Sequence, residues 1–128
     1  MRIGLTPLLA ALSGFLCVAM GAFGAHAVSD PYAKSLIETG VQYNVLHTMA
    51  AIASVSFRSW GAGIARYAAW FFFAGIVAFS GSLYAMGMGM APHAPIVMAA
   101  PVGGVLFLLG WIVLIIAGAQ LAMKRSPS

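Results

Sequence analysis

The stretch MAPHAPIV, residues 90–97, decides how many times this chain crosses a bilayer. It lies inside the longest uncharged run of the sequence, the 57 residues 67–123 between Arg66 and Lys124. A helix needs about 20 apolar residues to cross a hydrocarbon core of about 30 Å. The run is too long for one span and long enough for two, provided that something turns the chain. Pro92 and Pro95 do so, because proline lacks a backbone donor and its ring clashes with the preceding helical turn. Working outward, the 27 residues 3–29 between Arg2 and Asp30 hold one more span, and the 19 residues 39–57 between Glu38 and Arg58 another. The expected spans are 5–27, 39–57, 67–90 and 98–123, in a single domain covering 1–128.

Composition agrees. Of 128 residues, 62% are hydrophobic and 6% charged, whereas a soluble domain carries about 25% charged residues to stay wet. Lipid must therefore solvate most of the exterior. Helices are the expected form, since backbone groups in lipid must be satisfied within the segment. The apolar runs are too continuous for the alternating strands of a membrane barrel. The reading is an all-α, integral membrane four-helix bundle. Its six basic residues all lie near span ends, which points to membrane orientation and not to nucleic acid. The single cysteine, Cys17, excludes an internal disulfide and a cysteine-based zinc site.

With four spans, Arg2, Arg58, Arg66, Lys124 and Arg125 fall on one side and Lys34 alone on the other. Cytoplasmic loops carry the excess of lysine and arginine, so both termini are expected in the cytoplasm of a bacterial inner membrane. Residues 124–128 form a tail there. Arg2, the apolar stretch and Ala25-His26-Ala27 also resemble a secretory signal with an A-x-A cleavage site. The stretch is long enough to span, so we expect it to remain as a helix. On the other side, Ser29-Asp30-Pro31 reads as a helix start, opening a short extracytoplasmic interfacial segment over 29–38.

Small residues recur at helical spacing. Ala10, Gly14, Cys17, Gly21 and Gly24 lie on one face of span one, and Gly81, Gly103 and Gly104 extend the pattern to spans three and four. Such faces let helix backbones approach in lipid, so these are the expected packing positions.

Polar residues within spans mark either function or interhelical bonding. His26, Gln42, Tyr43, His47, Ser80, Ser82 and Tyr84 all fall in the outer halves of their spans and form one candidate layer. Its simplest role is a hydrogen-bond network in which His47 faces the interior and bonds another span, with His26, Ser80, Ser82 or Tyr84 as partner. Its sharper role is a ligand or cofactor site. Met86, Met88, Met90 and His93 could supply soft ligands to Cu(I), although alternate residues on a helix diverge. A haem could use His26 with His47, or His47 with His93. Neither copper nor haem is the expected reading, and no nucleophile–base pair suggests an enzyme.

GAFGAH at 21–26, TGVQYNVLH at 39–47, FSGSLY at 79–84 and PVGGVLFLLGW at 101–111 resemble the YgdD-like family of small inner-membrane proteins, which has eukaryotic relatives. Asn44, where glutamine is usual, and Ala100, where threonine is frequent, depart from that pattern. The resemblance implies a four-helix membrane protein and brings no established activity. The expected function is a non-enzymatic membrane protein that self-associates or serves a larger membrane complex. The alternative is a cofactor-, metal- or small-ligand-binding module built on His26, Tyr43, His47 and Tyr84. A coloured or metal-bearing sample would favour the second.

Overall fold

The computed structural model describes residues 4–124. Arg2 and Arg125, with the rest of the expected tail beyond Lys124, lie outside them. Helix α1 (Thr6–His26) is followed by α2 (Pro31–Ser59), α3 (Ala65–Gly75), a π segment (Ile76–Ser80), α4 (Gly81–Gly87) and α5 (Ala94–Lys124). Because α3, the π segment and α4 form one continuous rod, the chain is an all-α bundle of four helices, as expected.

The interfacial segment does not stand apart from span two. The Asp30 carboxylate accepts the Ala33 N–H at 2.8 Å, Pro31 occupies the first turn, and nothing breaks the helix before Ser59. At about 1.5 Å per residue, these 29 residues reach about 43 Å, more than a hydrocarbon core of about 30 Å. The helix ends at Gly61, whose φ of 115° lets Ala62 N–H reach Phe57 O at 3.0 Å. Gly89, with φ 107°, closes α4 in the same way, Met90 N–H bonding Ala85 O at 3.0 Å. The proline turn then occupies the residues after α4, and Pro95 sits within the first turn of α5 rather than before it.

Three stretches, Thr6–His26, Ala65–Gly87 and Pro95–Lys124, are long and apolar enough to cross a membrane. The exception is α2, and its position explains why. It packs on α1, on α3 and α4, and on α5, burying Asn44, His47, Thr48 and Ser54. The most polar helix is thus wrapped by the three most apolar ones. Their outer faces carry exposed Phe15, Val18, Val77, Leu108 and Ile115, as lipid contact requires.

Span three is not a uniform α-helix. Between Ile76 and Ser80 the turn widens, and Gly81 N–H bonds Ile76 O. One extra residue re-phases α4 relative to α3 by about 100°. As a result Ser80, Leu83, Tyr84 and Gly87 are buried, with Tyr84 against Gly40 and Gly87 against Ile37.

The small-residue positions divide. A Cβ on Gly24 would lie 2.8 Å from the Ile37 side chain, and one on Gly103 would lie 2.5 Å from Phe79 N and 2.9 Å from Gly75 O. Ala10 and Cys17 are buried. Gly14, Gly21 and Gly104 meet nothing within 4 Å, and Gly81 only an ordinary contact at 3.9 Å. The expectation that Gly14, Gly21 and Gly104 set close contacts inside the bundle is therefore corrected, because a Cβ at each would meet open space, Gly21 bordering a cleft shared with Ile37 and Val41 of α2. The tightest seam instead joins α3 to α5 through Gly75, Gly103 and Gly110, with Phe107 seated over Gly75 and Phe72 over Gly110.

Candidate functional site

The polar residues of α2 serve two interfaces. Asn44, fully buried, is the hub of the first. Its Nδ2–H donates to Tyr84 OH on α4 at 2.9 Å. Its Oδ1 accepts from Ser13 on α1 at 2.8 Å and from Thr48, one turn on, at 3.2 Å. Ser13 and Thr48 hydroxyls also lie 2.6 Å apart. One turn nearer the start of α2, Ser80 Oγ–H donates to the Gly40 carbonyl at 2.7 Å. An amide has two donors and a two-lone-pair oxygen, so a single asparagine can join three helices.

His47 forms the second interface. Its Nδ1–H donates to Tyr43 O at 2.7 Å, and Nε2 accepts the Trp111 Nε1–H from α5 at 3.0 Å. A carbonyl can only accept and an indole N–H can only donate, so the ring is neutral with its proton on Nδ1. Both ring nitrogens are occupied. The imidazole lies flat on Phe107, centroids 3.6 Å apart and planes 7° from parallel. Phe72 packs at its side, 5.5 Å away, and also meets Trp111 edge-on at 5.3 Å. Among the described residues, no buried side-chain nitrogen or oxygen lacks a partner.

Of the sequence candidates, His47, Ser80 and Tyr84 are brought into these contacts. His47 is interior and bonded across helices, but its partner is Trp111, not His26, Ser80, Ser82 or Tyr84. His26 is exposed at the end of α1, and Gln42 is exposed on α2. Tyr43 is half-exposed, its ring 4.6 Å from Phe79. Ser82 is buried but bonds only Phe79 O in its own turn, at 2.8 Å. The layer also reaches beyond the expected half of each span, since Ser13 lies in the N-terminal half of α1. Asn44, Thr48, Ser13 and Trp111 complete it. The sequence carries a signal for them: Asn44 and Thr48 stand four apart on one helical face, and Trp111 ends the PVGGVLFLLGW motif.

The metal candidates separate. Met86 and Met90 line one shallow cavity of about 330 Å³ with Asp30 and Tyr32, whereas Met88 and His93 are not among its walls. Among the described residues no three His, Cys, Asp or Glu side chains converge. The two glycines of MGMGM have structural roles, Gly89 in ending α4 and Gly87 in seating Ile37. His47 lies about 24 Å along α2 from Pro31 by helical rise, while His26 and His93 are at exposed positions outside α2.

Residues 20–104 match the family described as "Protein of unknown function (DUF423)". A UPF0382 membrane protein of Haemophilus influenzae is 44% identical over 107 residues, covering 81% of this chain and 85% of that protein. The inner membrane protein YgdD of Escherichia coli K12 is 36% identical, covering 90% of this chain and 89% of its own. YwdK of Bacillus subtilis is 34% identical, covering 88% and 94%. No solved structure matches. The GAFGAH, TGVQYNVLH and FSGSLY segments fall inside the matched region, and this chain belongs to the DUF423 family of membrane proteins.

Proposed function

We propose that this chain is a non-enzymatic module of the bacterial inner membrane, crossing it four times with both termini in the cytoplasm, and that it associates with itself or with a larger membrane complex. One observation carries the reading: the interior polar layer is closed, every buried side-chain donor and acceptor among the described residues being matched inside the bundle. A cofactor or polar-ligand site within this layer needs polar groups that are free to bind. Here His47 would have to surrender Trp111 or the Tyr43 carbonyl first. The layer instead does what polar groups between membrane helices do, fixing register.

Association is supported by α1, which packs chiefly on α2 and leaves open space at Gly14 and Gly21, where an added Cβ would meet no other element within 4 Å. Small notches of this kind admit another helix backbone closely. Orientation is supported by Arg58, Arg66 and Lys124 at one end and by Asp30, Lys34 and Glu38 at the other. Single cysteines at Gly14 and Gly21, in a Cys17→Ser background, should cross-link in native membranes to a second copy or to a discrete partner. Cysteines at Ser29 and His93 should react with an impermeant reagent from outside, and one at Ser126 should not. Random, non-discrete cross-links would reject association, and a reactive Ser126 with silent Ser29 would reject the orientation.

A further inference from the structure

Between α1 and α3 runs an apolar groove of about 490 Å³, walled by Leu9, Leu12 and Leu16 on one side and Trp70, Phe73 and Val77 on the other. Ser13 also contributes to its wall, but that hydroxyl is already engaged with Asn44 and Thr48. The volume falls in the range of about 300–1,000 Å³ typical of ligand clefts, and no free polar group lines it. An aliphatic chain is the occupant such walls suit.

The mouth supplies the rest. Arg66, Trp70, Phe73 and Val77 are spaced four, three and four, so they form one stripe down α3 into the start of the π segment. Arg66 is exposed at the top of that stripe, its guanidinium 4.9 Å above the Tyr67 ring and bonded to Tyr67 OH at 2.9 Å. Arg58 and Lys124 lie at the same end, while both carboxylate side chains, Asp30 and Glu38, belong to the opposite end. From Arg66 to Val77 the helix descends about 16 Å, the depth of one leaflet of a core about 30 Å thick. Exposed Trp60, Tyr67 and Trp70 mark the interface there.

We infer that the α1–α3 groove is a binding site for one acyl chain of an anionic phospholipid whose phosphate is held by Arg66. Arginine presents a planar fork that matches phosphate oxygens, and neither Asp30 nor Glu38 is near enough to compete for it. Only the membrane location of the bundle is required, not its association.

The test is native mass spectrometry of the full chain released from vesicles of equal parts phosphatidylglycerol and phosphatidylcholine. The wild type should retain phosphatidylglycerol over phosphatidylcholine by about fivefold, the factor expected of one arginine near the surface. Arg66→Gln should bring the two lipids to equal retention. Ala74→Trp, which fills the groove from an exposed position, should lower retention of both. Val77→Phe checks the same wall should Ala74→Trp fold poorly. Equal retention of the two lipids by the wild type would overturn the inference, as would full retention by both groove variants. A dimer that Ala74→Trp dissociates, with lipid preference unchanged, would assign the groove to a second copy and overturn it as well. Cross-linking through Gly14 or Gly21 is read separately, so the two ideas can fail independently.

Discussion

Where α3, the π segment and α5 meet one another and α2, contact is made by backbones and rings. Gly103 leaves no room for a side chain against Phe79 N, Phe107 lies flat on His47, and one indole hydrogen bond reaches across. On the side of α2 that faces α1 and α4, close contacts at Gly24, Gly40 and Gly87 are joined by a network of hydroxyls and an amide, and α1 stands off α3 far enough to leave a groove of about 490 Å³. Both sides have their buried polar groups satisfied, yet they should fail differently. Close packing is intolerant of added volume. A polar bridge is sensitive as well to losing one partner, since the other is then stranded in lipid.

Adding the same side chain to both sides should separate them most strongly. Gly103→Leu should destabilise the bundle by about 1–3 kcal/mol or more, because the nearest atoms are backbone and cannot swing aside. Gly14→Leu should stay within about 0.5 kcal/mol, its position being open. Reversible unfolding in mixed micelles measures both, and equal losses would show that the two sides pack alike.

A smaller effect tests the polar bridge. Asn44→Leu strands the Tyr84 hydroxyl and removes one of the two partners of Ser13. The loss should be about 1–3 kcal/mol, and Ser13→Ala should reach less than half of it because Asn44 keeps Thr48. A neutral Asn44→Leu in the same unfolding assay would mean that packing alone holds α4 to α2.

Smaller again is the His47–Trp111 bond. Interhelical hydrogen bonds in one membrane host average about 0.6 kcal/mol, and a cycle of Trp111→Phe with His47→Leu should return a coupling of that order. His47→Gln, which can still donate and accept, should retain most of the stability. A coupling near zero would leave stacking on Phe107 as the sole role of the ring. The smallest effect is expected at Gly21→Leu, with an unfolding midpoint close to wild type and, if α1 is an association face, loss of the cross-link at that position.

Much of the fold is legible from charge spacing. Eight charged residues, placed at span ends, give four helices because lipid penalises a charge anywhere else. The interior position of His47 comes from the same cost. Its partner does not, because a histidine and a tryptophan 64 residues apart meet only when two helices settle in a particular register. The π segment is hidden for a related reason: IVAFS is ordinary helix-compatible sequence, and the wider turn arises where Ser80, Tyr84 and Gly87 must all face α2.

The glycines draw the same line. Spacing alone places Ala10, Gly14, Cys17, Gly21 and Gly24 on one face of α1, and that is all spacing can do, since a face has no direction until something stands beside it. Gly24 is closed over by Ile37, while a Cβ at Gly14 or Gly21 would meet nothing within 4 Å. The solvent, the number of helices and their amphipathic faces are written residue by residue in the chain, because each depends on the free energy of transferring that residue into lipid. The central place of the most polar helix, the joining of three helices by Asn44, and the close approach of α3 to α5 arise only on assembly. Those outcomes depend on which surfaces fit one another, and fit is a property of pairs distant in the chain.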